Sequence, residues 1–310
     1  MALQSSGQIS LNDLHVEAGG SSGTECTFND SDIRGLIGKS TAAQMALNEW
    51  YGASAATAPV WSTSNKTFDL GTPDVVETYS GNFTLSQGGA VAIIAIGGGG
   101  GGCKLALGGL SGKYKGSGGG GGGVTIKGII GSSGQSFTAS AGSGGAGFRQ
   151  NSPNLGNGSA GGTTTVSGTG VSLTANGGSG GTWGGHTSNR TASGGSASGG
   201  DANYTGGNGA NPPNADHKCS GGGGAGGGNS AVSEATYPAG GTSPLKTGAL
   251  SSYVGNGGAG RAGYSYPRWY GQHGFSYGGG GGAGHVNDNG SNRAWGGNGA
   301  AGRIIVMYWN

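Results

Sequence analysis

The sequence predicts a mainly β and irregular fold: a small N-terminal module with short helices, then a β-core merging into a bundle of polyglycine-II helices with displayed loops. Three observations predict it. Glycine supplies 81 of the 310 residues, yet only nine of these precede residue 88, so the architecture changes near that point. Runs of strand length, apolar or alternating, recur from Val75 to the C-terminus. Between and after them lie about ten glycine tracts, at 97–102, 118–123, 142–147, 177–181, 194–200, 206–209, 221–228, 255–260, 278–284 and 296–302.

Residues 1–58 read as a separate module. Ile9-Ser-Leu-Asn-Asp-Leu-His-Val alternates for its first half and suggests a short strand, closed by Ala18-Gly-Gly. Asn29 to Asp32 supply N-cap candidates. Ile33, Leu36 and Ile37 follow at i, i+3 and i+4, and Gly38 sits where a C-terminal glycine belongs, which predicts a short capped helix. Ser40 is the cap of a second expected helix, whose Ala42, Met45, Ala46, Glu49 and Trp50 define one face and which ends at Gly52. A module this small needs something to dock on. Residues 59–71 read as a linker to the glycine-rich part, 72–310.

In that part Val75–Tyr79 and Phe83-Thr-Leu read as strands, and Val91-Ala-Ile-Ile-Ala-Ile as a strand buried on both faces. Val124 to Ile130, Gln135 to Ser140, Thr163 to Val166, Val171 to Thr174 and Arg303 to Trp309 complete a modest β-core. The tracts need a different account. A lone polyglycine segment has no internal hydrogen bonds and loses more backbone entropy on ordering than any other sequence. In polyproline-II geometry, at three residues per turn, its amides and carbonyls point sideways and can bond neighbouring segments. Without Cβ atoms the backbones can pack closely, with Cα–H···O contacts adding a smaller term. Six glycines span roughly 19 Å at about 3.1 Å each, so tracts of matched length make a bundle and push the other residues out as loops.

Composition excludes several classes. Collagen requires glycine at every third position and abundant proline, but here glycine comes in runs, with eight prolines. A flexible Gly/Ser linker does not carry six tryptophans and eleven tyrosines. Cys26, Cys103 and Cys219 are odd in number and match no zinc or redox spacing, which favours reduced thiols in a chain assembled in cytoplasm. The N-terminus shows no basic, apolar leader and no run is long enough to span a membrane, so neither a signal peptide nor membrane insertion is expected. Residues 1–70 carry seven acids and three bases, whereas residues 100–310 carry four acids and twelve bases. The glycine-rich part should therefore favour anionic surfaces. Nucleic acid is not expected, because the bases are scattered singly rather than set in a stripe.

Neither a cofactor nor catalysis is expected. Gly35-Leu-Ile-Gly38-Lys39-Ser40 resembles the end of a phosphate-binding loop, but the required first glycine is Ile33, and helix capping explains Gly38 and Ser40 better. His15, His186, His217, His273 and His285 have no zinc-type spacing, so no metal site is expected. Asp201, Asp216, Glu234 and Asp288 are the only acids after residue 100, few for a carboxylate pair.

The segment from Arg261 to Tyr277 is the most informative. Tyr264, Tyr266, Trp269, Tyr270, Phe275 and Tyr277 fall within it between two glycine tracts, with Arg268 and His273 among them. Tyr, Trp and Arg on loops of a rigid scaffold are the residue types of binding hot spots; the alternative is a packing cap over the end of the bundle. Trp183 and Arg190, Tyr204, and Trp295 stand in similar inter-tract segments at 182–190, 201–218 and 285–295.

The order Val91-Ala-Ile-Ile-Ala-Ile-(Gly)6, (Gly)6-Val-Thr-Ile-Lys-Gly-Ile-Ile, Gly134-Gln-Ser-Phe-Thr-Ala-Ser, Gly161-Gly-Thr-Thr-Thr-Val and Gly297-Asn-Gly-Ala-Ala-Gly-Arg-Ile-Ile-Val resembles the glycine-rich domain of phage tail-fibre proteins. Ile9 to Gly20 and Asn29 to Gly38 resemble the opening module of many phage tail proteins. The architecture is also similar to the polyglycine-II adhesins at the tips of T-even-like phage long tail fibres. That resemblance implies a receptor-binding protein of the virion tail. Its loops would meet an outer-membrane protein or lipopolysaccharide of the host, and residues 1–58 would join tail or baseplate proteins. Two other readings are a passive structural tail component and an ice-binding protein resembling snow-flea glycine-rich antifreeze proteins. The latter calls for a tripeptide glycine period and disulfides, whereas this chain has continuous glycine runs, bulky aromatics between them and an odd number of cysteines.

Overall fold

The run from Ala90 to Ile96 offers no polar face to water, so a strand made from it has to be covered on both sides. The computed structural model places it so. It describes residues 3–4, 6–37, 39, 42–51, 57–106, 114–149, 155–185, 190–210, 218–226, 240–245, 250–258, 270–286 and 295–309. Within it, β5 (Gly89–Ile96) is fully buried from Val91 to Ile96. It is the middle strand of an antiparallel sheet ordered β14 (Ala202–Tyr204), β8 (Val124–Gly131), β5, β17 (Arg303–Trp309), β3 (Val75–Tyr79). Ile94 stands in register between Ile126 and Ile305.

A second antiparallel sheet is ordered β13 (Ala197–Ser198), β11 (Val171–Ala175), β10 (Thr164–Gly168), β9 (Ser136–Ser140), β4 (Phe83–Thr84). Its strands alternate between core and solvent, as in Phe137 and Ala139 against exposed Ser136 and Thr138, so only one face is covered. That face packs on Val91, Ile93, Ile304 and Val306 of the first sheet. All eight strand runs read within residues 72–310 are present, and the fold is mainly β with few helices.

The opposite face of the first sheet is covered by Leu245, Leu250, Val254 and a hairpin of β1 (Trp61–Ser62) and β2 (Thr67–Phe68). Phe68 lies edge-on to both Trp61 and Trp309, with ring centroids 4.9 Å apart in each pair. Residues 59–71, expected to be a linker, thus contain core. Burying a Trp and a Phe against an apolar sheet removes far more apolar surface from water than a linker would, which is why the segment folds back.

The N-terminal module departs from expectation. The expected strand at Ile9–Val16 is instead helix α1 (Leu11–Glu17): the Ser10 hydroxyl accepts from the Asp13 N–H at 3.1 Å while the Asp13 carboxylate accepts from the Ser10 N–H at 2.8 Å. This reciprocal cap satisfies the first turn and outweighs a short alternation. Helix α2 (Ser31–Gly35) forms, but it is shorter than expected. The second expected helix does not form over 42–50. Ala42 has φ of 65°, outside the right-handed helical region, and only a 3-10 turn at Leu47–Trp50 follows. Leu14, Ile33 and Trp50 make the module's own small core. Gly38, Ser40 and Gly52 lie outside the described residues.

Beyond Ile96 the pairing of β5 with β8 changes character. Gly97, Gly100 and Cys103 donate to the carbonyls of Gly123, Gly120 and Ser117, every third residue. The intervening amides go elsewhere: Gly98 and Gly101 to Gly162 and Ser159, Gly99 and Gly102 to Ala300 and Gly297. The carbonyls of the same tract accept from three further segments, Gly98 and Gly101 from Gly178 and Gly181, Gly99 and Gly102 from Gly145 and Phe148, Gly100 and Cys103 from Gly281 and Gly284. A β-strand has two hydrogen-bonded neighbours; this segment has six, three antiparallel through its amides and three parallel through its carbonyls. Both 97–103 and 117–123 are wholly buried, so the two tracts form the interior of the glycine-rich half, with every amide paired, as burial demands.

Candidate functional site

One end of the glycine segments continues into the sheets. At the other end the chain forms short pairings that gather the bases of several connecting segments. β6 (Lys104–Ala106) runs parallel to β16 (Gly284–Val286), and Lys104 also bridges Gly156. β7 (Tyr114–Gly116) pairs with β12 (Trp183–Gly185) and with β15 (Lys218–Cys219). Gly296 donates to the Phe148 carbonyl at 3.2 Å and Gly271 to the Trp295 carbonyl at 3.0 Å. The described residues flanking 107–113, 150–154, 186–189, 211–217 and 287–294, and the C-terminal flank of 259–269, therefore meet on one remote face.

On that face Arg149, Tyr270, Gly271, His273, Trp295 and Gly296 line an open cleft of about 330 Å³. The Tyr270 and Trp295 rings are tilted at 47° with centroids 5.2 Å apart, and the Arg149 guanidinium stands 5.6 Å from the Trp295 ring centroid. His273 Nδ1 accepts from the Asn298 N–H at 2.8 Å, which leaves Nε2 as the protonated nitrogen of the neutral ring. The rings stand on fixed backbone: a Cβ on Gly271 would lie 2.0 Å from the Gly282 carbonyl oxygen, and one on Gly296 1.9 Å from that of Gly102. Tyr270, Trp295 and Arg149 are each the first or second residue beyond a segment locked into the glycine interior, which sets their positions without a helix or strand beneath them.

Buried groups surround the base of this face. Burial pulls the Lys104 ammonium below its usual range and, together with the nearby Arg190 charge, that of Lys115. Burial pushes the Cys103 thiol up to about 12, so it stays protonated and unreactive. Cys26 and Cys103 are free thiols, and among the described residues no three His, Cys, Asp or Glu side chains assemble as a metal site would require. Among the same residues no helix is long and apolar enough to cross a membrane.

The family model described as the glycine-rich domain matches residues 75–309. The chain belongs to the glycine-rich domain family. No curated protein matches it. The match begins at the first residue of β3 and ends at the last of β17, and Val75 is the register partner of Tyr308. The glycine-rich domain therefore closes on itself through these two strands and contains the cleft, with the N-terminal module and the β1–β2 hairpin outside the matched residues.

Within the glycine-rich domain the residues singled out from sequence fall into groups. Tyr270, His273 and Trp295 come together in the cleft. Trp183, like Leu155, packs partly buried against the cluster of Cys103, Leu105 and Ala283 at the same end, and a Cβ on neighbouring Gly184 would lie 2.0 Å from the Arg190 guanidinium. Phe275 is half exposed, and its N–H donates to the Asn256 carbonyl. Tyr277 and Tyr204 belong with the sheets instead: Arg303 donates to the Tyr277 hydroxyl at 3.0 Å, and Trp61 Nε1 to the Tyr204 hydroxyl at 2.7 Å. Tyr264, Tyr266, Arg268 and Trp269 lie outside the described residues. Arg149 was missed from sequence. Its signal was its place just past the 142–147 tract, the mirror of Trp295 just before the 296–302 tract.

Proposed function

We propose that this glycine-rich domain protein is the receptor-binding adhesin of a bacteriophage tail. In this reading the glycine tracts are polyglycine-II helices forming a rigid bundle. The three-residue period of their amide partners supports this, since polyproline-II geometry has three residues per turn. The single observation that carries the adhesin reading is that the described residues flanking several connecting segments meet on one face, where Tyr270, Trp295 and Arg149 adjoin backbone locked into the glycine segments. A binding face of that kind avoids much of the entropic cost of ordering loops on contact. The partners would be a host surface receptor, either outer-membrane protein or lipopolysaccharide, and tail or baseplate proteins reached through residues 1–58. The activity would be binding in the virion rather than catalysis, with no cofactor, nucleic acid or membrane insertion.

The test is adsorption of the labelled full chain to a panel of Gram-negative cells, read by flow cytometry with competition by outer-membrane fractions. Saturable, competable binding to some strains is expected. Binding to none, with normal incorporation into particles, would point to the passive tail component, and thermal hysteresis of ice growth to the ice-binding reading.

A further inference from the structure

We infer that the cleft lined by Tyr270, Trp295, Arg149 and His273 is a subsite for a sugar ring bearing a carboxylate or phosphate. This rests on the adhesin reading and specifies its ligand chemistry. The volume of about 330 Å³ lies at the small end of the roughly 300–1,000 Å³ usual for ligand sites, which suits one or two sugar rings rather than a protein loop. Tyr270 and Trp295 pack on each other, with centroids 5.2 Å apart at 47°, and so form one aromatic wall; an aromatic face covers the C–H face of a pyranose while leaving the hydroxyls to water. Among the described residues the lining has no acidic side chain. Its formal cation is Arg149, exposed at the rim, whose forked guanidinium matches a planar carboxylate or a phosphate through two parallel N–H donors. Its neutral donor is His273 Nε2, since Nδ1 is committed to the Asn298 N–H.

The placement of these groups favours recognition over a packing cap. In a cap, the rings would be covered and the cation absent or paired with an acid. Here Tyr270 is 41% exposed, the cleft is open, and its floor is made of Gly271 and Gly296, where backbone contacts within 2.0 Å of any added Cβ keep side chains out. The cationic bias of residues 100–310, twelve bases against four acids, adds a long-range field of the same sign that favours anionic ligands.

The experiment is calorimetric titration of the full chain with three probes: a trigalacturonate, a phosphorylated core oligosaccharide released from lipopolysaccharide, and neutral trigalactose. Binding of at least one acidic probe is expected, about ten-fold or more tighter than trigalactose, weakening with salt and reduced at least ten-fold in Arg149→Ala. The carboxylate and phosphate arms identify the source. Tyr270→Ala, which alters an exposed ring, should also abolish binding, and Trp295→Phe, which keeps a ring beside Tyr270, should weaken it less. Equal binding of acidic and neutral probes, or acidic binding unaffected by both Arg149→Ala and Tyr270→Ala, overturns the inference. Cell adsorption measured in parallel separates the two readings. Adsorption without sugar binding removes only the subsite, whereas sugar binding without adsorption removes only the adhesin.

Discussion

The α-carbon of Gly100 is pressed against Ser179: a Cβ built on Gly100 would sit 2.0 Å from the Ser179 carbonyl oxygen, while the Gly100 N–H is held by Gly120 at 2.8 Å. The obstacle is backbone, itself bonded on both sides, so it cannot step aside as a side chain would. Gly100→Ala should therefore cost about 3 kcal/mol or more, at or above the upper end of ordinary overpacking. Gly81→Ala is the control, because a Cβ there meets nothing within 4 Å. Melting temperatures of the two variants check the claim, and equal values would show that the glycine interior yields.

A second prediction concerns acid. The Glu77 carboxylate accepts from the Tyr79 hydroxyl at 2.5 Å and the Tyr308 hydroxyl at 2.8 Å, tying β3 to β17. Partial burial pushes this carboxyl up, but hydrogen bonds from Tyr79, Tyr308 and Ser86 together outweigh it and hold it below its usual range. A carboxylate depressed in the folded state contributes stability above its unfolded value, near 4.3, and that contribution is lost as pH falls through the lower folded value. Glu77→Gln should thus lower stability at pH 7 and flatten the fall in urea midpoint below about pH 4. A variant with the wild-type acid slope would remove Glu77 from the account.

The strands were legible because β5, and β17 from Ile304 on, are continuous apolar runs and β9 and β11 alternate, patterns that survive in any context. The helices were less so. Ser10 and Asp13 carry a capping signal that short alternation masked, and Ala42 takes a positive φ that no residue type announces. Trp61 and Phe68 looked like linker residues because their partner, Trp309, is more than 200 positions away. At the cleft, the aromatics were legible as types, but Tyr204 and Tyr277 were not separable from Tyr270 and Trp295. The difference lies in which glycine segment neighbours which, and tracts without side chains carry no register information.

That hairpin has a consequence for dissection. Deleting residues 1–71 removes Trp61 and Phe68 from the core beside Trp309 and strips the Tyr204 hydroxyl of its donor. Truncation of a buried aromatic costs about 3–5 kcal/mol. A fragment starting at residue 57 should melt close to the full chain, while one starting at 72 should melt well below it or aggregate. Matching melting curves for the two fragments would show that the hairpin is a passenger.

The last prediction separates binding from packing at the remote face. Trp183 is partly buried against Cys103 and Leu105, whereas Tyr270 is 41% exposed and packs at an angle on Trp295. The two large aromatics sit at the same end of the glycine segments, so they share any general effect of disturbing that end. They differ in what truncation removes. Trp183→Ala opens a hole in a packed cluster and should cost stability of about 3 kcal/mol, with adsorption per folded molecule unchanged. Tyr270→Ala removes exposed surface and should leave the melting temperature within a degree or two. If the face binds a receptor, it should weaken adsorption by about 2 kcal/mol, roughly thirty-fold. Measuring melting and cell adsorption on both variants gives a crossed pattern if the two roles are distinct. Should Tyr270→Ala lose stability and keep adsorption, the ring is a packing cap and the binding surface lies elsewhere on the face.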